Sequence, residues 1–237
     1  MPGDLFLTGL NKKGYVLMPG VFPEKEILDI IQLLDTADHS GEAFRKSKDL
    51  FAIRKFLKAV PGIKRILFTP ALKKIIEKLG HDLFVIKSIY FDKPEASNWF
   101  VSFHQDLTVS VDRKVELPGF GTWTVKQDQF AVQPPINFLE NIFTIRIHLD
   151  DTTKENGALK VIPGTHLDGI CDPKACDKTQ AEMCEIPRGG ITIMKPLLLH
   201  ASGRTKNNQR RRVIHLELSN IELPPELNWS EKDEIPA

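Results

Sequence analysis

The sequence predicts a mainly β domain with flanking helices, and two patterns of apolar residues carry that prediction. From residue 83 to about residue 220, apolar side chains form the short runs and alternations that are typical of strands. Before residue 80 they recur at helical spacing instead. With 237 residues and no segment typical of a linker, the chain is expected to form a single domain over 1–237. Residues 1–80 would then be a helical support for a β core over about 83–220.

The composition is that of an ordinary globular protein and disfavours several classes of partner. Hydrophobic residues make up 41% of the chain and charged residues 27%, and the formal net charge is +1. A balance this close to zero provides no field that would attract nucleic acid or a membrane surface. No secretory leader and no apolar run near the ~20 residues of a membrane span are recognisable, so we expect a cytoplasmic protein with a small-molecule substrate. The oligomeric state is left open.

The three cysteines give no sign of a metal site or a disulfide framework. Cys171, Cys176 and Cys184 are odd in number and include no Cys-x2-Cys pair. We expect reduced thiols in a polar insertion.

Two helical regions are predicted in the first third of the chain. Residues 14–22 are expected to form a short strand and a turn, after which Pro23 begins a helix. This helix would bury Ile27, Ile30, Ile31 and Leu34 on one face. A second helical region is expected over about 50–79, and its last segment would begin at Thr69 and Pro70.

The first strand of the β core, Leu83–Phe91, is apolar on both faces and is therefore expected at the centre of a sheet. Lys87 is the exception in this pattern. Its side chain either extends to solvent at the edge of the sheet, which we favour, or directs its ammonium group at an anionic ligand in a cavity. The second alternative makes Lys87 a candidate substrate residue.

The sequence contains three His-x-Asp triplets, which begin at His104, His148 and His166. In a strand, the two side chains of such a triplet leave the same face about 6–7 Å apart and can bind one metal ion. The triplet of His166 follows a predicted turn, where a structural role is expected, and that of His148 is followed by a polar loop. His104 and Asp106, at the end of the apolar strand 99–106, are favoured because they alone have a full set of partners downstream.

The downstream partner is His200, which ends the apolar run 197–199 as a third ligand on a core strand would. Two histidines and one carboxylate with open coordination positions suit non-haem Fe(II) better than a tetrahedral zinc site. A strand that carries arginines follows, and Arg211 lies eleven positions after His200.

These segments resemble the blocks of the phytanoyl-CoA dioxygenase family of Fe(II)/2-oxoglutarate-dependent oxygenases. The resemblance rests on His104-Gln105-Asp106, on the segment Asn-Gly-Ala-Leu-Lys-Val-Ile-Pro-Gly-Thr-His over 156–166, and on His200-Ala201-Ser202-Gly203, in the order of the family. Together these blocks cover roughly residues 85–220. The resemblance implies a double-stranded β-helix, that is, a cupin-like jelly roll, with helices packed on its outside.

The resemblance also implies the cofactors and the reaction. His104, Asp106 and His200 would bind Fe(II), and 2-oxoglutarate and O2 would be consumed, with ascorbate as an optional reductant. Arg211 would hold the distal carboxylate of 2-oxoglutarate in a bidentate contact, and Ser202 would donate its hydroxyl to the same carboxylate. The expected outcome is hydroxylation of a small organic substrate with release of succinate and CO2. The alternative is a jelly-roll protein that binds a metal or ligand without turnover.

Strand alternation separates the three consecutive arginines. Arg211 shares a face with Val213, His215 and Glu217, whereas Arg210 and Arg212 take the opposite face, where we expect exposed charges. The family spacing places the face of Arg211 inside the barrel. A nucleic-acid patch over 206–212 is disfavoured because it lacks aromatic platforms and an overall basic balance.

Three further residues are candidates for substrate contacts. The connection 107–136 is longer than most loops of compact domains, and its aromatic residues argue against disorder. It is either a substrate-covering loop, with Trp123 and Lys126 as contacts, or a hairpin that only shields the barrel. Arg146 would bind an acidic group of the cosubstrate or substrate if its strand face points inward. The matching family position is commonly tryptophan, so the resemblance does not supply this role.

Overall fold

The computed structural model describes residues 2–37, 44–46, 51–95, 97–126 and 129–236, which form three antiparallel sheets and six α-helices. Two of the sheets face each other across a central cavity. This arrangement is the predicted jelly roll, or double-stranded β-helix.

The large sheet has long strands at its centre. In chain order its members are β1 (Tyr15–Met18), β2 (Phe44–Lys46), β3 (Phe51–Arg54), β4 (Phe84–Lys93), β9 (Phe143–His148), β12 (Ile191–Met194), β14 (Arg211–Ser219) and β15 (Asp233–Glu234). Their spatial order is β1-β12-β9-β14-β4-β3-β2, and β15 also pairs with β4. Strand β14 pairs with β9 along one edge and with β4 along the other. Strand β4 pairs with β14 and with β3, so it is an internal strand, as predicted.

The small sheet consists of short strands in the order β11-β10-β13-β5. Its members are β5 (Val101–His104), β10 (Leu159–Val161), β11 (Glu182–Cys184) and β13 (His200–Ser202). In the register between β13 and β5, His200 lies directly opposite His104. Two distant segments of the sequence therefore bring two histidines to one point.

The connection 107–136 forms the third sheet, with the order β6-β8-β7. Its strands are β6 (Val109–Val111), β7 (Gly121–Lys126) and β8 (Gln129–Gln133). Val109, Val111 and Val132 are buried in a hydrophobic cluster with Phe84 and Trp229. The connection therefore forms strands that pack on the barrel, and its predicted substrate contacts stay a prediction.

The helices cover the outer face of the large sheet. They are α1 (Pro2–Lys13), α2 (Glu24–Thr36), α3 (Phe56–Ala59), α4 (Ile63–Leu67), α5 (Pro70–Leu79) and α6 (Ile136–Glu140). Buried residues of α1 to α5 form one core cluster with Ile145, Ile147, Ile193 and Leu216, which alternate along their strands with cavity-facing side chains. Across the described ranges, no helix combines the length and apolarity needed to cross a membrane.

The predicted helices are confirmed at 23–34 and 69–79, but the prediction was wrong at the start of the second region. Thr69 caps α5 by accepting a hydrogen bond from the backbone of Leu72. Residues 51–54, however, form β3, which pairs with β4 through Ala52 and Phe91. A short apolar run does not distinguish a strand from a helix. Residues 51–54 form a strand because they pair with the edge of β4.

Candidate metal centre and cavity

Three potential metal ligands meet where the small sheet lines the cavity. His104 ends β5, His200 begins β13, and Asp106 lies two positions beyond β5, where its backbone N–H donates to the carbonyl of Pro196 at 2.9 Å. One ligand atom from each of the three residues lies within 4.8 Å of the others. Nε2 of His104 is 3.6 Å from Oδ1 of Asp106, and Nε2 of His200 is 3.7 Å from Oδ2.

Hydrogen bonds to the backbone orient both imidazoles. Nδ1 of His104 is 2.9 Å from the carbonyl oxygen of Ser102, and Nδ1 of His200 is 2.9 Å from that of Leu198. A carbonyl only accepts, so each Nδ1 carries the proton and each Nε2 presents its lone pair to the centre of the cluster. This is the tautomer that a metal ligand requires.

The electrostatics of the two histidines differ. Burial lowers the pKa of His200 to about 4, so this imidazole is neutral at neutral pH. Burial also acts to lower the pKa of His104, but the hydrogen bond and the charge of Asp106 outweigh it and raise that pKa. Burial also acts to raise the pKa of Asp106, but its attraction to His200 and the hydrogen bond with His104 outweigh this and hold the pKa well below its usual range. Such a donor set fits a divalent metal of the Fe(II) type and leaves coordination positions open to the cavity.

Gln105 holds the ligand-bearing segment in place. Its buried side-chain amide donates to the carbonyls of Gly169, at 2.8 Å, and Leu197, at 2.7 Å, and its oxygen accepts from the backbone of Cys171 at 3.0 Å. The residue between two ligands thus ties them to two separate loops. The sequence analysis assigned it no role.

Arg211 faces the same cavity, whose volume is about 240 Å³. Its side chain is buried, and Nη2 is 3.3 Å from the hydroxyl oxygen of Ser202. Nε of Arg211 is buried without a hydrogen-bond partner among the described residues. Burial, together with the charge of Arg146, lowers the pKa of Arg211. A bound carboxylate would accept a hydrogen bond from Nε and would offset the cost of burying the charge.

Ser202 positions Arg211 in this arrangement. Its hydroxyl donates to the carbonyl of Gly157 at 3.2 Å and accepts from the guanidinium of Arg211. Its single proton is therefore already used, and the predicted donation to a carboxylate would require it to rotate.

The predicted division of the arginines by strand face is present. Arg211, Val213, His215 and Glu217 all line the cavity. The expectation of exposed charges is confirmed for Arg210, whose side chain is 46% exposed, but was wrong for Arg212, whose side chain is 13% exposed. Both arginines are in ion pairs on the opposite face. Arg210 Nε donates to Asp92 at 2.8 Å, and Arg212 Nη2 donates to Asp150 at 2.6 Å.

A charged network crosses the large sheet on its inner face. Arg146 Nη1 is 3.2 Å from Nδ1 of His215, whose Nε2 is 3.0 Å from Glu217. Arg146 can only donate, so His215 accepts at Nδ1 and donates from Nε2. Lys87 Nζ donates to both carboxylate oxygens of Glu217 at 2.8 Å. Lys87 therefore lines the cavity in an ion pair, and our preference for a side chain that extends to the sheet edge was wrong.

The other substrate candidates lie elsewhere. Trp123 on β7 packs against the hydrophobic cluster of the third sheet, and the cavity lining includes no described residue of 107–136. Lys126 belongs to β7, but its side chain lies outside the described part of the structure. Trp123 is thus not among the residues that line the cavity, and the substrate contacts predicted for both residues stay predictions.

The other two His-x-Asp triplets have structural surroundings. Both nitrogens of buried His148 bond to hydroxyls, Nδ1 to Thr152 at 2.7 Å and Nε2 to Thr192 at 3.0 Å. Nε2 of His166 donates to the carbonyl of Asn11, near the end of α1, at 3.1 Å. Gly14 has a φ of +79°, and a Cβ there would lie 2.5 Å from the His166 ring, so the position requires glycine.

The cysteines are free, as expected for reduced thiols. Cys171 and Cys176 lie in the polar segment between β10 and β11, but Cys184 is buried on β11 and belongs to the core.

Sequence reasoning assigned no role to three polar residues of the cavity. Lys93, His215 and Glu217 line it beside the predicted site residues, and only the inward direction of the last two was predicted. The signal was available in strand alternation, because Lys93 shares a face of β4 with Lys87, and His215 and Glu217 share a face of β14 with Arg211.

Comparison with known proteins extends these observations. A family model described as Phytanoyl-CoA dioxygenase (PhyH) matches residues 10–213. The chain is 24% identical to "Phytanoyl-CoA dioxygenase domain-containing protein 1" of Danio rerio, over 98% of this chain and 74% of that protein. It is 28% identical to "Probable alpha-ketoglutarate-dependent hypophosphite dioxygenase" of Stutzerimonas stutzeri, over 36% of this chain and 35% of that protein.

A solved structure supports the fold. The epimerase SnoN in complex with Fe3+, alpha ketoglutarate and nogalamycin RO matches with a TM-score of 0.66 at 15% identity, over 92% of this chain and 84% of that chain. At this identity the similarity concerns the arrangement of the strands and helices.

Proposed function

The chain belongs to the phytanoyl-CoA dioxygenase family, and we propose that it hydroxylates a small organic substrate at a non-haem iron centre, with release of succinate and CO2. Its class is that of a 2-oxoglutarate-dependent, non-haem iron dioxygenase. The proposal adds the outcome of the reaction, the size of the substrate and the residues that carry the chemistry.

One observation carries the proposal: the cavity combines a metal-ligand cluster with a buried arginine that has no ion pair among the described residues. His104, Asp106 and His200 offer ligand atoms within 4.8 Å of one another. Arg211 presents a buried Nε without a hydrogen-bond partner in the described structure to the same cavity. Iron chelated by one end of 2-oxoglutarate and an arginine on its distal carboxylate would satisfy both features.

The residues of the chain have separate tasks in this reaction. His104, Asp106 and His200 would hold Fe(II), with each Nδ1 fixed by a backbone carbonyl. Arg211 would bind the distal carboxylate, and Ser202 would keep the guanidinium in place. When bound, Fe(II) and 2-oxoglutarate supply the activation of O2. His200 and Arg211 are buried between the sheets, where the lower dielectric strengthens their charged contacts.

The size of the cavity supports a small substrate. At about 240 Å³ it is below the roughly 300–1,000 Å³ of pockets that hold drug-sized ligands, and 2-oxoglutarate would take part of it. A substrate that reaches the metal would therefore be a small molecule, or a larger molecule that enters the cavity with one small end.

Turnover of 2-oxoglutarate tests the proposal. Purified protein with Fe(II), ascorbate, O2 and 2-oxoglutarate should release succinate, and a panel of small metabolites should contain compounds that accelerate this release and gain one oxygen atom by mass spectrometry. Hypophosphite belongs in the panel because one relative carries it in its name. The His200→Ala variant is the matched control. Binding of Fe(II) and 2-oxoglutarate without succinate above this control, for the whole panel, would favour a binding protein without turnover.

A further inference from the structure

Arg146 is the second buried arginine of the cavity, and its position is fixed by three strands. It lies on β9, opposite Thr192 of β12 on one side and opposite His215 of β14 on the other. Its side chain lines the same cavity as the metal-ligand cluster and Arg211.

The guanidinium of Arg146 is largely without partners. Within the ranges that the structure describes, it makes one hydrogen bond, to Nδ1 of His215, and no ion pair. Its Nε is buried and has no hydrogen-bond partner there. A guanidinium has five N–H donors, and an arginine kept for a structural reason would use more of them. The bond to His215 alone does not explain why a cation is placed here.

The ion pairs of the cavity also leave Arg146 without a counter-charge among the described residues. Glu217 is neutralised by Lys87 at 2.8 Å, and Asp106 would be occupied by the metal. Arg211 would be neutralised by the distal carboxylate of 2-oxoglutarate. Burial lowers the pKa of Arg146 to about 10, which reflects the cost of holding this charge out of water. Buried charges are normally paired, so a bound anion is the missing partner.

We propose that Arg146 binds a carboxylate or a small oxyanion inside the cavity, at a site separate from that of Arg211. The inference rests on the proposed function, because it concerns the same cavity. Two sources offer this chemistry: the metal-proximal carboxylate of 2-oxoglutarate, and an anionic group of the primary substrate. Both fit a planar guanidinium with several free N–H groups.

Two titrations of the anaerobic Fe(II) protein distinguish the sources. In the first, 2-oxoglutarate is titrated into the wild type and Arg146→Gln and followed by the metal-to-ligand charge-transfer band. In the second, inorganic phosphate is titrated into the Fe(II)–2-oxoglutarate complex and followed by its shift of the same band. A loss of about tenfold or more in 2-oxoglutarate affinity in Arg146→Gln assigns the cosubstrate carboxylate. Unchanged 2-oxoglutarate affinity with a similar loss of phosphate affinity assigns a substrate anion.

Three further measurements separate this site from a structural role. Arg146→Lys keeps the charge and should recover part of the lost affinity, whereas a purely structural arginine would not be rescued in a ligand titration. Arg210→Gln, a matched arginine on the opposite face of the sheet, should bind both anions within about threefold of the wild type. Iron stoichiometry and the melting temperature of Arg146→Gln should stay close to those of the wild type.

The inference is overturned if two results occur together. Arg146→Gln binds 2-oxoglutarate within about threefold of the wild type, and phosphate either binds both proteins equally or does not bind the wild type. Failure of the proposed function would look different, because the wild type would then release no succinate above the His200→Ala control, even where it binds 2-oxoglutarate. In that case a calorimetric titration of phosphate into the Fe(II) protein alone, in wild type and Arg146→Gln, still decides whether Arg146 binds an anion.

Discussion

The two sheets that enclose the cavity contribute different chemistry to it. The small sheet provides two imidazoles on short strands, whose orientation is fixed by the backbone carbonyls of Ser102 and Leu198, and the Asp106 carboxylate follows β5. The large sheet provides full charges on long strands, and these charges are connected across three strands through Arg146, His215, Glu217 and Lys87. The metal end of the cavity is therefore specified by local segments, whereas the anion-binding end depends on the register of β4, β9 and β14.

The largest effect is expected from removal of the carboxylate ligand on the small-sheet side. Asp106→Ala should lose most of its bound iron. Its affinity for iron should fall by well over the about 10- to 100-fold that a metal site loses when a residue that only orients a ligand is removed. The fold should persist, because the packed sheets position the site. Metal analysis after Fe(II) loading and gel filtration measures this.

The other His-x-Asp triplets supply the controls for that experiment. His148→Ala and His166→Ala should keep the iron stoichiometry of the wild type, since neither side chain lies in the ligand cluster. Wild-type iron content in Asp106→Ala, or loss of iron in the controls alone, would show that a different cluster binds the metal.

The next largest effect concerns the large sheet at Arg211. Truncation of one partner in a buried guanidinium–carboxylate pair costs roughly 2–5 kcal/mol, so Arg211→Ala should weaken 2-oxoglutarate binding by about 30-fold or more. Iron should still bind, because the ligands are on the other sheet. The charge-transfer band under anaerobic conditions reports the affinity.

Arg210→Ala is the matched control for Arg211, because the two residues are adjacent but lie on opposite faces of the sheet. The Arg210 pair with Asp92 is partly exposed, and the variant should change 2-oxoglutarate affinity by less than about threefold. Arg212→Ala is a poorer control, since it would leave Asp150 without the partner that neutralises it. Greater sensitivity at Arg210 than at Arg211 would reverse the assignment of the inner face.

A smaller effect is expected from the charged network itself. Glu217→Gln should lower the free energy of unfolding by about 1–3 kcal/mol, because Lys87 loses its counter-charge inside the cavity. Iron should still bind. Urea denaturation measures the difference, and Glu222→Gln, which breaks the exposed pair with Lys232, should stay within about 0.5 kcal/mol of the wild type. Equal effects of the two variants would mean that the network adds no stability.

The same contrast between the sheets explains what the sequence could predict. The ligands and Arg211 were predictable because strand alternation and a family order mark them within short segments. Lys87 was misjudged because its partner, Glu217, is separated from it by 130 positions and meets it only through the register of β4 and β14. The ion pairs of Arg210 and Arg212 and the strand β3 were missed for the same reason. Each depends on a neighbouring strand that local patterns do not identify.

The smallest predicted effect concerns His148, which lies on the same strand as Arg146 but is fully satisfied. Burial lowers its pKa well below the ordinary value of 6.5, so the folded state excludes a proton that the unfolded chain binds. The buried His148 therefore leaves the free energy of unfolding unchanged above about pH 6.5. As the pH falls below that value, His148 lowers the free energy of unfolding by at most about 1.4 kcal/mol per pH unit. His148→Asn should remove this dependence, so that between pH 6.5 and 5.5 the variant loses about 1 kcal/mol less unfolding free energy than the wild type. His104 and His200 titrate in both proteins and cancel in the comparison. A wild-type slope in His148→Asn would mean that the buried histidine is not the source of the acid sensitivity.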